Sequence, residues 1–108
     1  MENYFLDYKE KVDFSIEKFS KTTLFQSERI MLGLNCLLPS QVQKVHDHAD
    51  QDKFYYVLEG EGLFTVAEEE KLVSAGTMVW APAGVPHGVA NKSNRPLVIL
   101  MGIAPAPK

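Results

Sequence analysis

His46 and His48 stand two residues apart in the stretch HDHADQDKFYYVLEGEG, and His87 is the third histidine of the chain. Side chains two apart on an extended backbone project from one face, so the pair offers two neutral imidazole nitrogens to one ion. Such donors suit Zn, Fe, Ni, Cu or Mn to differing degrees. Alone the pair is weak evidence, because two histidines at the edge of a strand need no ion to explain them.

A second stretch, GTMVWAPAGVPHGVAN, strengthens the reading. Pro82-Ala83-Gly84 has the residues of a tight turn, since proline fixes φ and glycine permits φ > 0. Such a turn redirects the chain into the following strand, which begins at His87. Asn91 shares the parity of His87 and fits a polar strand-edge or turn position. Weaker candidates surround these residues. Tyr55, Met78 and Trp80 line the interior or its counter-face, either as packing or as an aromatic platform for a ligand. Cys36 reads as a small buried apolar residue, with a thiol near the metal as the sharper alternative. The acids of AEEEK form a solvated hairpin tip. No Ser-His-Asp order, phosphate-cradling glycine loop or CxxC is present.

The elements that must hold these residues are strands. Apolar runs at 28–38, 41–46, 53–60, 63–67, 71–76, 77–84, 87–91 and 95–104 are separated by Gly, Pro and polar turns. Short strands at this spacing indicate an antiparallel sandwich or barrel. Helix is confined to a turn or two within residues 2–11. Along KFYYVLE, Lys53, Tyr55 and Val57 share one face while Phe54, Tyr56 and Leu58 share the other. Along the 28–38 run, Ile30, Leu32, Leu34, Cys36 and Leu38 likewise oppose Met31 and Leu37. A strand with one wet face alternates apolar and polar, so both faces are covered here. Two packed sheets and a partner subunit would cover them, and a homodimer is expected, with the N-terminal segment reaching across.

The 108 residues suit one domain with one core. Apolar residues at 45% and charged ones at 23% match a folded globular chain. The net charge of -3 and the lack of a Lys/Arg cluster argue against nucleic acid. No apolar run reaches the roughly 18 residues of a membrane span. The start, MENYFLDYKEKVDF, lacks the basic-then-apolar order of a secretory signal. The one cysteine cannot form an internal disulfide, so a cytoplasmic setting is expected.

Together the two stretches resemble the paired motifs of the cupin superfamily. The first motif appears as His46, His48, four residues, Lys53, six residues and Gly60. The second appears as Gly76, Pro82, Gly84, His87 and Asn91 with every spacing matched. The segment between them, 61–75, has the short length of compact single-domain members, and the resemblance covers about residues 25–104. It implies an all-β, antiparallel, cupin-like double-stranded β-helix, or jelly-roll barrel. Residues 1–24 become an arm or strand in dimer contact, 25–104 the barrel, and 105–108 a tail. The resemblance also implies a divalent transition metal held by His46, His48 and His87, with a glutamate as fourth ligand. Lys53 stands where that glutamate belongs.

At about 4 Å, an ammonium beside a divalent ion costs about 8 kcal/mol at an effective dielectric of about 20. Asp52 replaces the missing acid only through a bulge, because a one-residue slip turns a side chain to the other face. Four arrangements of Lys53 stay open. It extends to the barrel mouth, wet or paired with Asp50, Asp52 or Glu59. It binds an anionic ligand that also reaches the metal. It is neutral and serves as a base. Or no metal binds, and the pocket takes an organic acid. The first needs the fewest assumptions. Two functions follow: a metal-dependent enzyme, dioxygenase- or isomerase-like, acting on a small organic molecule, or a non-catalytic barrel that binds or senses one.

Overall fold

The computed structural model describes residues 3–108. A single 3-10 turn at Tyr8–Lys11 is capped by Asp7, whose carboxylate accepts from the Lys9 amide at 3.0 Å. Nine strands follow: β1 Ser20–Gln26, β2 Met31–Leu37, β3 Val42–His46, β4 Asp52–Glu59, β5 Glu61–Val66, β6 Glu69–Ser74, β7 Met78–Ala81, β8 His87–Ala90 and β9 Leu97–Ala104. They form a five-stranded sheet, ordered β1-β2-β9-β4-β7, and a four-stranded sheet, ordered β3-β8-β5-β6. All the pairings are antiparallel. The chain is therefore all-β, with the packed antiparallel sheets that the turn spacing indicates, in the double-stranded β-helix that the resemblance implies.

The inner faces of the two sheets enclose the main core. Tyr55, Val57 and Phe64 meet Leu37, Val89, Leu97 and Ile99 there, all buried. Alternation along β4 sorts as the sequence reads: Lys53, Tyr55 and Val57 are buried, while Phe54, Tyr56 and Leu58 are partly covered on the other side.

Part of the cover for that outer side comes from the chain itself. Leu34, Cys36 and Val98 form a second buried cluster on the outer face, under Tyr8, Val12, Phe14, Leu24 and Leu58. Tyr8 fixes this flap by donating its hydroxyl hydrogen to Glu59 Oε2 at 2.8 Å. The apolar outer residues of β2 thus find partners within one chain, where their alternation pointed to a second subunit. Strand β1 crosses the boundary expected at residue 24 and pairs along β2, so the sheet begins at Ser20. Strand β6 begins at Glu69, which draws two of the acids of AEEEK into the hairpin and leaves Ala67 and Glu68 as its turn.

Two backbone features bring the histidine-bearing segments together. On β3 the register slips between Gln43 and His46, where three residues of β3 span two of β8, from Val89 to His87. This bulge turns Gln43 and His46 to the same inner side, although an odd spacing puts residues on opposite faces of a regular strand. Gly88 then lets β3 lie close. A Cβ there would come within 2.8 Å of the Gln43 carbonyl oxygen and 2.9 Å of the Val45 nitrogen.

Candidate metal centre

His46 ends β3, His48 lies in the loop beyond it, and His87 opens β8 directly opposite His46. The expectation that both rings of the pair ride on one strand is corrected here, since β3 stops at the first of them. Their ring centroids are 5.0 Å apart for His46–His48, 4.5 Å for His46–His87 and 5.5 Å for His48–His87. One nitrogen from each ring lies within 4.8 Å of the other two.

Backbone carbonyls orient two of the rings. His46 Nδ1 lies 2.7 Å from the Lys44 oxygen, and His87 Nδ1 lies 2.9 Å from the Val85 oxygen. An Nδ1–H held this way leaves Nε2 with its lone pair as the remaining donor, the arrangement that metal-ligating histidines adopt. His87 Nε2 is buried without a hydrogen-bond partner. Burial, more than any charge, lowers the pKa of His87 to about 4, with Lys53, His46 and His48 adding to the effect. His48 is lowered chiefly by burial, then by the charges of His46 and Lys53. At neutral pH His87 is therefore an uncharged imidazole with an orphaned nitrogen, which fits an ion that needs a neutral nitrogen donor.

The loop carrying His48 is tied to the turn preceding His87. Gly84 has φ of +79°, and the Val85 amide donates to the Pro82 carbonyl at 3.1 Å, closing the turn. The Gly84 amide donates to the His48 carbonyl at 2.9 Å, and the Ala83 amide donates to Asp52 Oδ1 at 2.9 Å. Asn91 closes the far end of β8: its amide donates to the carbonyls of Leu37 at 2.9 Å and Arg95 at 2.8 Å.

The chain matches the family model described as a cupin domain over residues 33–103. It belongs to the cupin family. A Thermus thermophilus protein of known crystal structure, TT1209, is 48% identical, with a TM-score of 0.92 over 95% of this chain and 98% of that one. A double-stranded β-helix protein from Klebsiella pneumoniae, 20% identical, superposes with a TM-score of 0.90 over 96% of this chain and 91% of that one, which is a likeness of fold. Among curated proteins, an uncharacterized protein of Methanocaldococcus jannaschii is 39% identical over 56 residues, 52% of this chain and 45% of that protein. A gentisate 1,2-dioxygenase of Ralstonia sp is 33% identical over 75 residues, 68% of this chain and 21% of that enzyme. The match thus spans less than two thirds of the length of either curated relative.

Within this cupin, His46 and His48 open onto a cavity of about 200 Å³ that is also lined by Lys21, Asn35, Gln43 and Lys53, with the His87 ring packed behind them. Lys53 is only 4% exposed, and its Nζ lies 4.7 Å from the centre of the Tyr55 ring. The side chain points into the barrel, so the reading in which it extends to the mouth is corrected: inward parity on β4 holds the whole side chain inside. Burial lowers its pKa to about 8, with the charge of Lys21 acting in the same direction. Tyr55 is fully buried and donates its hydroxyl hydrogen to Gln43 Oε1 at 2.6 Å, with its ring centroid 6.0 Å from that of His87. It packs behind the histidines as their support.

The other candidates lie elsewhere. Asp52 faces outward as the anchor of the Ala83 amide, and no bulge turns it toward the histidines. Cys36 lies in the outer cluster under the N-terminal flap, on the opposite face of β2 from the cavity. Met78 and Trp80 are 59% and 58% exposed on the outer face of β7, because their neighbours Val79 and Ala81 take the inward positions opposite Tyr55 and Lys53. Sequence reasoning passed over Asn35, Gln43 and Lys21. Asn35 was the visible clue, as a lone amide in an apolar strand whose parity opposes that of Cys36.

Proposed function

We propose that this cupin is a metal-dependent protein in which His46, His48 and His87 hold one divalent transition ion, and that it acts as an enzyme on a small organic molecule. One observation carries the reading: His87 Nε2 is buried, neutral and unpartnered where three ring nitrogens converge. An unsatisfied buried nitrogen costs about 1–3 kcal/mol, and a coordinated ion removes that cost. Three protein ligands leave coordination positions for a substrate or water, and the ion would supply Lewis-acid or redox chemistry there. The protein's own contribution is orientation. The carbonyls of Lys44 and Val85 fix two rings, and the turn at Gly84 holds the backbone of the third. The likeness to part of a dioxygenase supports this reading without selecting the reaction.

The test compares metal-loaded and chelator-stripped protein against a panel of small organic compounds, read by oxygen uptake and by proton NMR. Turnover that requires metal and is lost in His48→Ala is expected. A fully loaded protein that binds these compounds and converts none of them would instead make the barrel a non-catalytic binder. Self-association belongs to the same proposal, supported by exposed apolar side chains such as Leu72, Met78 and Trp80 on β6 and β7. Sedimentation of the wild type against Trp80→Glu tests it, a dimer that Trp80→Glu leaves intact removing this surface.

A further inference from the structure

Lys53 and Asn35 are the least expected side chains in the cavity. Lys53 is 4% exposed and Asn35 2%, and the Asn35 Nδ2 is buried with no hydrogen-bond partner. Both line the histidine cavity, Asn35 from β2 and Lys53 from β4. Among the described residues lining that cavity there is no aspartate or glutamate, whereas Lys21 adds a second cation. The Tyr55 ring face beside Lys53 Nζ offsets part of the ammonium's lost hydration, yet a ring carries no net charge. A buried cation is stabilised chiefly by an opposite charge that hydrogen-bonds to it. The cavity therefore holds an unmatched positive charge and an unmatched amide donor beside the imidazoles of His46 and His48.

We propose that Lys53 and Asn35 form an anion seat that receives the carboxylate of a small organic acid, placing the rest of that ligand against His46 and His48. The proposal deepens the function proposed above by naming its substrate class. It rests on the histidine cavity being the ligand site, not on the ion being present. A carboxylate suits the pair because its two oxygens can take one hydrogen bond from the ammonium and one from the amide, and its single charge equals that of Lys53. At about 200 Å³ the cavity is smaller than the roughly 300–1,000 Å³ of drug-sized sites, so the acid is compact.

Calorimetric titration and amide-shift NMR with acetate, succinate and benzoate, each beside its neutral amide, test the seat on both metal-loaded and chelator-stripped protein. At least one carboxylate should bind saturably while its amide does not. Lys53→Met should weaken that binding by roughly tenfold or more, the scale of a lost charge-assisted hydrogen bond. Asn35→Asp should weaken it as well, by supplying an internal counter-charge to Lys53. Both variants should retain the fold by circular dichroism. Equal binding of acid and amide, carboxylate binding unchanged in Lys53→Met, or no binding by any of the three acids would each overturn the seat. Binding of inorganic phosphate in place of the carboxylates would also overturn it. A wild type that takes up no metal yet binds the carboxylate would overturn the metal reading and support the seat.

Discussion

Lys53 carries its ammonium into a space that leaves 4% of the residue exposed, and burial takes its pKa from 10.5 to about 8. A folded-state pKa below the unfolded value means that the unfolded chain binds the proton more tightly. Stability therefore rises with pH from about 8 to 10.5 and is lost as pH falls back through that window. Below it the full cost applies, on the order of 3 kcal/mol in the ligand-free protein. Lys53→Met removes the charge while keeping most of the volume. In carboxylate-free buffer at neutral pH it should raise the midpoint of urea unfolding and flatten the rise above pH 8. A variant no more stable than the wild type would show that the ammonium already has a counter-charge. The face of Lys53 could be read from alternation along KFYYVLE. Where its ammonium ends could not, because a long flexible stem can carry the charge outward or leave it buried.

At the scale of elements, the turn at residues 82–85 and the bulge on β3 decide whether three histidines meet. Gly84 adopts φ of +79° and donates its amide to the His48 carbonyl. A side chain in that left-handed conformation costs roughly 1–2 kcal/mol, and a Cβ at Gly84 would meet nothing within 4 Å. Gly84→Ala should therefore destabilise by about 1–2 kcal/mol through backbone strain alone. It should also weaken metal binding, since the turn repositions the His48 loop. An unchanged metal affinity together with the stability loss would detach that loop from the turn. The turn was legible from Pro82-Ala83-Gly84, and the histidine spacing followed from the two motifs. The bulge was not. A one-residue slip leaves no mark in the pattern of QVQKVH, so Gln43 went unnoticed as an inner residue. For Met78 and Trp80 the sequence left interior and counter-face open. Register with β4 decides between them, giving the inner positions to Val79 and Ala81 and the counter-face to Met78 and Trp80.

Over the whole molecule, the barrel covers the outer face of β2 with its own N-terminal segment and leaves that of β7 exposed. Cys36 is 1% exposed beneath Tyr8, Val12 and Phe14, and burial raises the pKa of its thiol. Thiolate is the reactive form, so Cys36 should label slowly with a thiol reagent in the native protein. Removing residues 1–18 should speed labelling by at least about tenfold, with the β-sheet circular dichroism retained, because local exposure governs access. Equal rates would show that the flap does not shield β2. That both faces of β2 are covered was legible in ERIMLGLNCLL, but a sequence pattern cannot say whether the cover comes from the same chain or another. The barrel itself was legible because turn residues punctuate it at short intervals, whereas β1 follows a polar, weakly alternating stretch, SKTTLFQ, that carries little strand signal.

The central claim is that His46, His48 and His87 bind one divalent ion, and metal content measured by mass spectrometry on protein purified without an affinity tag tests it most directly. The wild type, as isolated or after incubation with Ni, Zn, Fe or Mn and desalting, should carry about one ion per chain, and His46→Ala, His48→Ala and His87→Gln should each lose it while staying folded. A wild type that retains none of these metals, or one whose metal content survives all three substitutions, would contradict the account.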